Sequence, residues 1–249
     1  MIEMHKSITS ARAFIEDSIS RDGLTYEDVM LEYPAVLSFR YLWRQIKDQA
    51  GLEEFSHRVL KDAYIHHDTL FIESRISSPA MAIQVETLLA LGVRKIIYIG
   101  IAGSISPELN IGDLVVSTGA INETGTGVCY GYDLQSVIPA DSKLTYQVHD
   151  RLKEQGLDPR LTVHWATDAP YQETRAKVNE YRKMGATCVE MEGAGLFAVA
   201  KAYAIPAAAV FVISDELKET GWVQGWGDPK FKQTMAKLTG AMVRLSRDL

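Results

Sequence analysis

Lys95–Ile105 reads KIIYIGIAGSI, an apolar run that looks like a buried strand and ends on two glycines three residues apart. Tyr98 is the one side chain between Ile96 and Gly103 with a hydroxyl or a charge. Glycines permit positive φ and let backbone amides face a shared concavity, which suits an anion or a sugar hydroxyl. A tight strand-to-loop turn without a ligand explains the same residues. The spacing matches neither GxGxxG nor GxxxxGK[ST], the common nucleotide fingerprints.

On the amino side of this stretch, Ser78 caps a helix whose first position is Pro79. Ile83, Val85, Leu88, Leu89 and Leu91 give that helix an apolar stripe, and Gly92 ends it. Tyr64–Glu73 reads as a strand before it, and residues 1–60 as a helical, polar preface anchored by Ile15, Tyr26, Val29 and Trp43. On the carboxyl side, Asn110–Gly112 turns into a strand over Asp113–Gly119. A helix over Asp141–Gln155 is stopped by Gly156, and a strand over Leu161–Thr167 precedes a helix from about Gln172 to Met184. Cys188–Val189 is a short strand entering a helix. Pro206–Ser214 contains AAAVFVIS, a strand of the kind buried on both faces. An amphipathic helix covers Phe231–Leu245. Alternating strands and helices predict an α/β fold, a single domain over 1–249 with a central mixed sheet flanked by helices.

The chain has 249 residues, 47% hydrophobic and 23% charged, with net charge −6. That balance disfavours a basic face for nucleic acid. No apolar run approaches a bilayer span, and MIEMHKSITS lacks a signal-peptide core, so the expected location is cytoplasmic. Two cysteines, Cys129 and Cys188, make neither a disulfide framework nor a zinc cluster. The histidines offer no ligand spacing: His66 and His67 alternate on a strand, and His57, His149 and His164 stand apart. No serine has a nucleophile-elbow context.

Open α/β sheets hold ligands at the carboxyl ends of strands. Polar clusters fall at such ends: Gly100–Ser104, Thr167–Arg175, Glu190–Glu192 and Ser214–Asp215. In CVEMEGAG, Glu190 and Glu192 either partner a helix dipole or accept hydrogen bonds from a sugar diol, with Met191 as an apolar floor. Asp215 is either a cap or a partly desolvated acid able to protonate a leaving base. Trp222 and Trp226 pack a loop or line a base pocket.

Taken in order, these clusters resemble the nucleoside phosphorylase family that includes hexameric purine nucleoside phosphorylase, uridine phosphorylase and methylthioadenosine nucleosidase. The resemblance rests on the helix, strand and glycine segment of Ser77–Val116, on ATDAPYQET, on CVEMEGAGLFAVAKAYAIP and on AVFVISDEL. It implies ribose contacts by Glu190, Met191 and Glu192, with Glu192 on the 2′ and 3′ hydroxyls. It implies base contacts by Pro170, Tyr171 and Ser214, with Asp215 as the acid toward N7 of a purine. Gly100, Gly103 and Ser104 correspond to the phosphate segment. The expected reaction is cleavage of an N-glycosidic bond, purine favoured, with phosphate as co-substrate, no metal or organic cofactor, and a homo-oligomer. Family phosphorylases carry an arginine and a serine or threonine where this chain has Tyr98 and Ile101. Phosphate bears nearly two charges, so Arg40 and Arg44 of the preface are the candidate counter-charges. Water as acceptor, a pyrimidine substrate, and a binding or storage protein are the alternatives.

Overall fold

The computed structural model describes residues 7–248; residues 1–6 of the expected preface lie outside that range. The chain begins with helix α1 (Ala11–Ser20), strand β1 (Ala35–Ser38), helix α2 (Arg40–Lys47) and strands β2 (Glu53–Phe55), β3 (Ala63–His66) and β4 (Thr69–Glu73). Helix α3 (Ser78–Ala90) leads into β5 (Ile96–Ser104), β6 (Leu114–Glu123), the short helix α4 (Gly125–Cys129) and β7 (Val137–Pro139). Helix α5 (Ser142–Glu154), β8 (Pro159–Thr167), α6 (Arg175–Lys183), β9 (Ala186–Glu190) and α7 (Gly193–Ala202) follow. Strand β10 (Ala207–Lys218), β11 (Gly221–Gln224) and α8 (Pro229–Leu245) complete the order.

The strands make one mixed sheet, as the α/β pattern predicts. β5 pairs with β10 in parallel, β10 with β6 antiparallel, and β6 with β8 in parallel. β8 pairs with β9 in parallel and β9 with β5 antiparallel, so these five strands close on themselves. Closure leaves no unpaired edge within this ring. β1, β4, β3 and β2 extend the sheet from β5.

The apolar runs that read as doubly buried have both faces covered. Ile96, Tyr98, Ala209 and Phe211 face a core shared with α1, α3 and α7. Their alternates Ile97, Ile99, Val210 and Val212 face a second core shared with α2, α5 and α8. A strand with period-two side chains and helices on both sides must be apolar at every position. Helix α5 is capped by Asp141, which accepts from the Leu144 N–H at 2.8 Å. Among the described residues, no helix is long and apolar enough to cross a membrane.

Four local expectations are corrected. The preface is not wholly helical: β1 is a four-residue strand, buried throughout and inserted in parallel between β4 and β5. Tyr64–Glu73 is a hairpin rather than one strand, and His67 lies in its turn at φ 52°. Ser78 does not cap α3; it lies inside the helix, and its hydroxyl donates to the Met191 carbonyl at 2.8 Å. The glycine segment is not a turn: β5 continues through Gly100 and Gly103 to Ser104, and neither glycine has a positive φ.

Candidate active site

A cavity of about 660 Å³ opens where the carboxyl ends of β5, β9 and β10 converge beside the segment after β8. Gly103, Met191, Glu192, Ser214, Asp215 and Tyr171 all line it. Residues of all four polar clusters therefore meet in one place, although 112 positions separate Gly103 from Asp215 along the chain. Pro170 and Glu190 also contribute to the wall.

The two glycines of β5 are gaps for side chains. A Cβ on Gly100 would lie 2.5 Å from the Tyr98 hydroxyl oxygen, so the Tyr98 ring occupies the space that Gly100 leaves. That hydroxyl donates to Glu192 Oε2 at 3.1 Å. A Cβ on Gly103 would lie 2.8 Å from Asp215 Oδ2. The register explains the approach: a bulge between Ile213 and Asp215 sets Asp215 directly opposite Gly103. A bulge re-aims the side chains that follow it, and here it turns an acid into the cavity.

Glu192 stands at the N-cap of α7 and is 5% exposed. Its Oε1 accepts the Ser77 N–H at 2.6 Å. Ser77 is held at φ 85°, a strained conformation for a residue with a Cβ, at a cost of about 1–3 kcal/mol. Strain at the residue that orients the carboxyl is typical of a binding position. Burial, reinforced by the charge of Glu190, pushes Glu192 up to about 8 against the opposing donors Ser77 and Tyr98. A carboxyl in that range can exchange partners with sugar hydroxyls at little electrostatic cost.

Glu190 is differently employed. Its oxygens accept the backbone N–H groups of Glu192 and Gly193, at 2.8 Å for each closest pair. Its Oε1 also lies 3.0 Å from His164 Nε2, outside hydrogen-bond geometry. His164 is fully buried, and its Nδ1 lies 2.7 Å from Ser117 Oγ. Glu190 thus secures the first turn of α7, as the dipole reading of the sequence allows. Glu192, two residues later, is the carboxyl that faces the open space.

Asp215 is half-buried. Its Oδ1 accepts from Ser214 Oγ at 2.6 Å, and its Oδ2 accepts from Trp222 Nε1 at 2.7 Å. Trp222 reaches across because β11 pairs antiparallel with the end of β10. Of the two roles open to the tryptophans, both Trp222 and Trp226 line the cavity. Tyr171 is 91% exposed and stands at the rim.

Other candidates lie elsewhere. Ser104 is buried outside the cavity and donates toward the carbonyls of Ser106 and Leu109, bracing the loop after β5. Gly100 lies behind the wall, under Tyr98. Arg40 and Arg44 are exposed on α2 and do not line the cavity, although Phe39, immediately before that helix, does. Neither arginine has an ion-pair partner among the described residues.

Two lining residues escape the sequence reading. Glu173 sits between the short turn at Pro170–Gln172 and α6, where it reads as another polar residue near a helix start. Burial pushes it up to about 8, with the charges of Asp215 and Glu123 adding to the effect and Lys177 opposing it. Arg175, the first residue of α6, also lines the cavity and has no ion-pair partner among the described residues. The cluster Thr167–Arg175 carried both residues, but nothing in their spacing ranked them above their neighbours. Among the described residues, no group of three or more His, Cys, Asp or Glu side chains is arranged to hold a metal.

The phosphorylase superfamily model matches residues 63–244. A purine nucleoside phosphorylase of DeoD type from Caldanaerobacter subterraneus subsp. tengcongensis is 29% identical over 140 residues, 56% of this chain and 60% of the relative. A guanosine phosphorylase from Halorubrum lacusprofundi is 28% identical over 164 residues, 65% of this chain and 66% of the relative. The matched stretches thus span less than two thirds of these relatives' lengths. Among solved structures, a purine nucleoside phosphorylase from Toxoplasma gondii in complex with immucillin-H superposes with a TM-score of 0.72 over the whole of both chains. Its sequence identity is 19%, so the likeness speaks for the fold.

Proposed function

The chain belongs to the phosphorylase superfamily, and on that premise we propose that it cleaves the N-glycosidic bond of a purine nucleoside with phosphate as acceptor. The observation that carries this reading is the single cavity joining Glu192 and Met191 to Asp215 across Gly103. A nucleoside offers a diol, a glycosidic carbon and a base edge, and the cavity presents a carboxyl or apolar group toward each end. Glu192 takes the ribose hydroxyls, displacing its present bonds to Ser77 and Tyr98, and Met191 lies under the sugar. Asp215, presented by the bulge and held by Ser214 and Trp222, faces the base, and Tyr171 and Trp222 flank it. Fixing the two ends of the nucleoside leaves the anomeric carbon open to attack and supplies the orientation on which such reactions depend. Charge at an oxocarbenium-like centre is stabilised by the anionic acceptor on its other side.

The acceptor's charge requires a cation. Arg40 and Arg44 remain candidates because α2 begins directly after Phe39, and Arg175 joins them because it lies on the cavity wall. The names of the matched relatives favour phosphate over water. A homo-oligomer and a cytoplasmic location belong to the same reading.

The decisive assay measures free base released from inosine, guanosine, adenosine, methylthioadenosine and uridine, each with and without phosphate. Release from a purine nucleoside that depends on phosphate is the expected result. Equal release without phosphate would replace phosphorolysis by hydrolysis. Binding without turnover would replace an enzyme by a binding protein.

A further inference from the structure

We propose that His164, buried behind the ribose end of the cavity, is a positioning residue for this reaction: through Glu190 it fixes the first turn of α7 and with it the carboxyl of Glu192. The inference rests on the nucleoside reading above. It adds a residue that does not itself line the cavity and belongs to none of the polar clusters that do.

His164 lies on β8, packed against the rings of Phe197 from α7 and Phe211 from β10, at centroid distances of 6.1 and 5.0 Å. Its side chain is fully buried. Nδ1 lies 2.7 Å from the hydroxyl oxygen of Ser117 on β6, and Nε2 lies 3.0 Å from Glu190 Oε1 at the end of β9. A carboxylate facing Nε2 calls for the proton on that nitrogen, which leaves Nδ1 to accept from the Ser117 O–H. Ser117 Oγ in turn accepts the Gly119 N–H at 3.1 Å, across the register shift where β6 meets β8. Glu190 accepts the N–H groups of Glu192 and Gly193. A line of polar groups thus runs from the backbone of β6, through the imidazole, to the backbone of Glu192.

Gly193 makes room for this arrangement. A Cβ there would lie 2.3 Å from His164 Nε2 and 3.1 Å from Glu190 Oε1, so the imidazole edge sits directly against the first turn of the helix. Leucine or phenylalanine would fill the same space beside Phe197 and Phe211 without two nitrogens to satisfy.

The Nε2 contact is short but misaligned, and that nitrogen has no hydrogen-bond partner among the described residues. An unpaired buried donor is costly, so alignment is favoured wherever the helix turn can shift. Misaligned hydrogen bonds at active sites often tighten once substrate is bound. As Glu192 exchanges Ser77 and Tyr98 for the ribose hydroxyls, the first turn of α7 settles and the Nε2–H closes onto Glu190. Positioning of this kind acts on substrates that offer hydroxyls to Glu192 and leaves others untouched.

The test sets kcat/KM for the fastest-cleaved of inosine, guanosine and adenosine beside the inhibition constant of the matching 2′,3′-dideoxynucleoside, which has no hydroxyl for Glu192 to hold. His164→Phe keeps a ring against Phe197 and Phe211 and removes both nitrogens. It is expected to lower kcat/KM on the ribonucleoside about ten- to thirtyfold and to change the inhibition constant of the dideoxy analogue by less than about threefold. His164→Gln, whose amide can reach Glu190, should recover kcat/KM to within about threefold of the parent. Ser117→Ala leaves the imidazole in place but removes the group that orients it, and should cost about threefold on the ribonucleoside alone. That smaller change carries the test if the ring substitution does not fold. Equal losses on both compounds would reduce His164 to packing. Unchanged kcat/KM in His164→Phe, a His164→Gln protein no better than His164→Phe, or a Ser117→Ala protein equal to the parent would each overturn the positioning role. A parent protein that cleaves no purine nucleoside in phosphate would overturn the purine-phosphorolysis reading itself, and this proposal with it.

Discussion

Gly103 shows how a site can depend on an atom that is missing. Its backbone is ordinary, without a positive φ, so alanine is conformationally allowed there. The obstacle is the Asp215 carboxylate, 2.8 Å from the position a Cβ would take, with the Leu217 side chain at 2.9 Å. Gly103→Ala therefore forces Asp215 to move while leaving β5 intact. The expected outcome is a loss in kcat of about ten- to hundredfold. Overpacking of this size costs about 1–3 kcal/mol, a fall of a few degrees in the thermal midpoint. Steady-state kinetics beside a thermal melt check it; unchanged kcat would mean that the position of Asp215 is not critical. The sequence announced the glycine pair but suggested the wrong reason for it. Positive φ and close approach leave the same letter in the chain, and only the neighbouring strand distinguishes them. The same ambiguity hides Glu190, whose bonds to α7 and contact with His164 are invisible to spacing.

At the scale of an element, β10 does most to define the site. Its first half is an apolar strand legible in the sequence, buried against both cores. Its second half, beyond the bulge, carries Asp215 and pairs with β11 instead of β6. This exchange of partners is not legible in the sequence, where the expected strand ends at Ser214 and β10 in fact runs on to Lys218. β11 is short, but it brings the Trp222 indole N–H to Asp215 Oδ2. Trp222→Phe keeps an aromatic ring over the cavity and removes that donor. A hydrogen bond to a charged group is worth about 1.5–3 kcal/mol when sheltered, less at a site as open as this one. We expect kcat to fall about three- to tenfold with KM nearly unchanged. A rise in KM with constant kcat would instead assign the indole to substrate binding. β1 teaches a related lesson: four residues are too few to display a period, so a strand central to the sheet passed for part of a helical preface.

The whole molecule stores a cost in this cavity. Glu192 in the native state takes a proton up to about pH 8, whereas an exposed glutamate ionises near 4.5. Between those values the native state binds more protons than the unfolded chain, so this group's contribution to stability declines as pH rises. The decline is at most about 1.4 kcal/mol per pH unit and levels off above pH 8. Glu173 acts in the same direction but more weakly, because it is more exposed. Urea melts of the parent and Glu192→Gln at pH 5, 6.5 and 8 read the effect directly. The variant should lose part of the slope and become relatively more stable at pH 8, while ribose binding weakens. Parallel slopes would show that Glu192 is ionised throughout.

The sequence by itself determined the alternation of strands and helices, the doubly buried strands, and the family to which the chain belongs. Those features are written in local periodicity and in contiguous motifs, and each residue carries its share wherever the rest of the chain lies. The closed ring of strands, the bulge opposite Gly103, and the convergence of Glu173, Glu192 and Asp215 on one cavity were decided only in three dimensions. They depend on strand register and on how completely neighbouring atoms exclude water, and both are set by residues far apart in the chain.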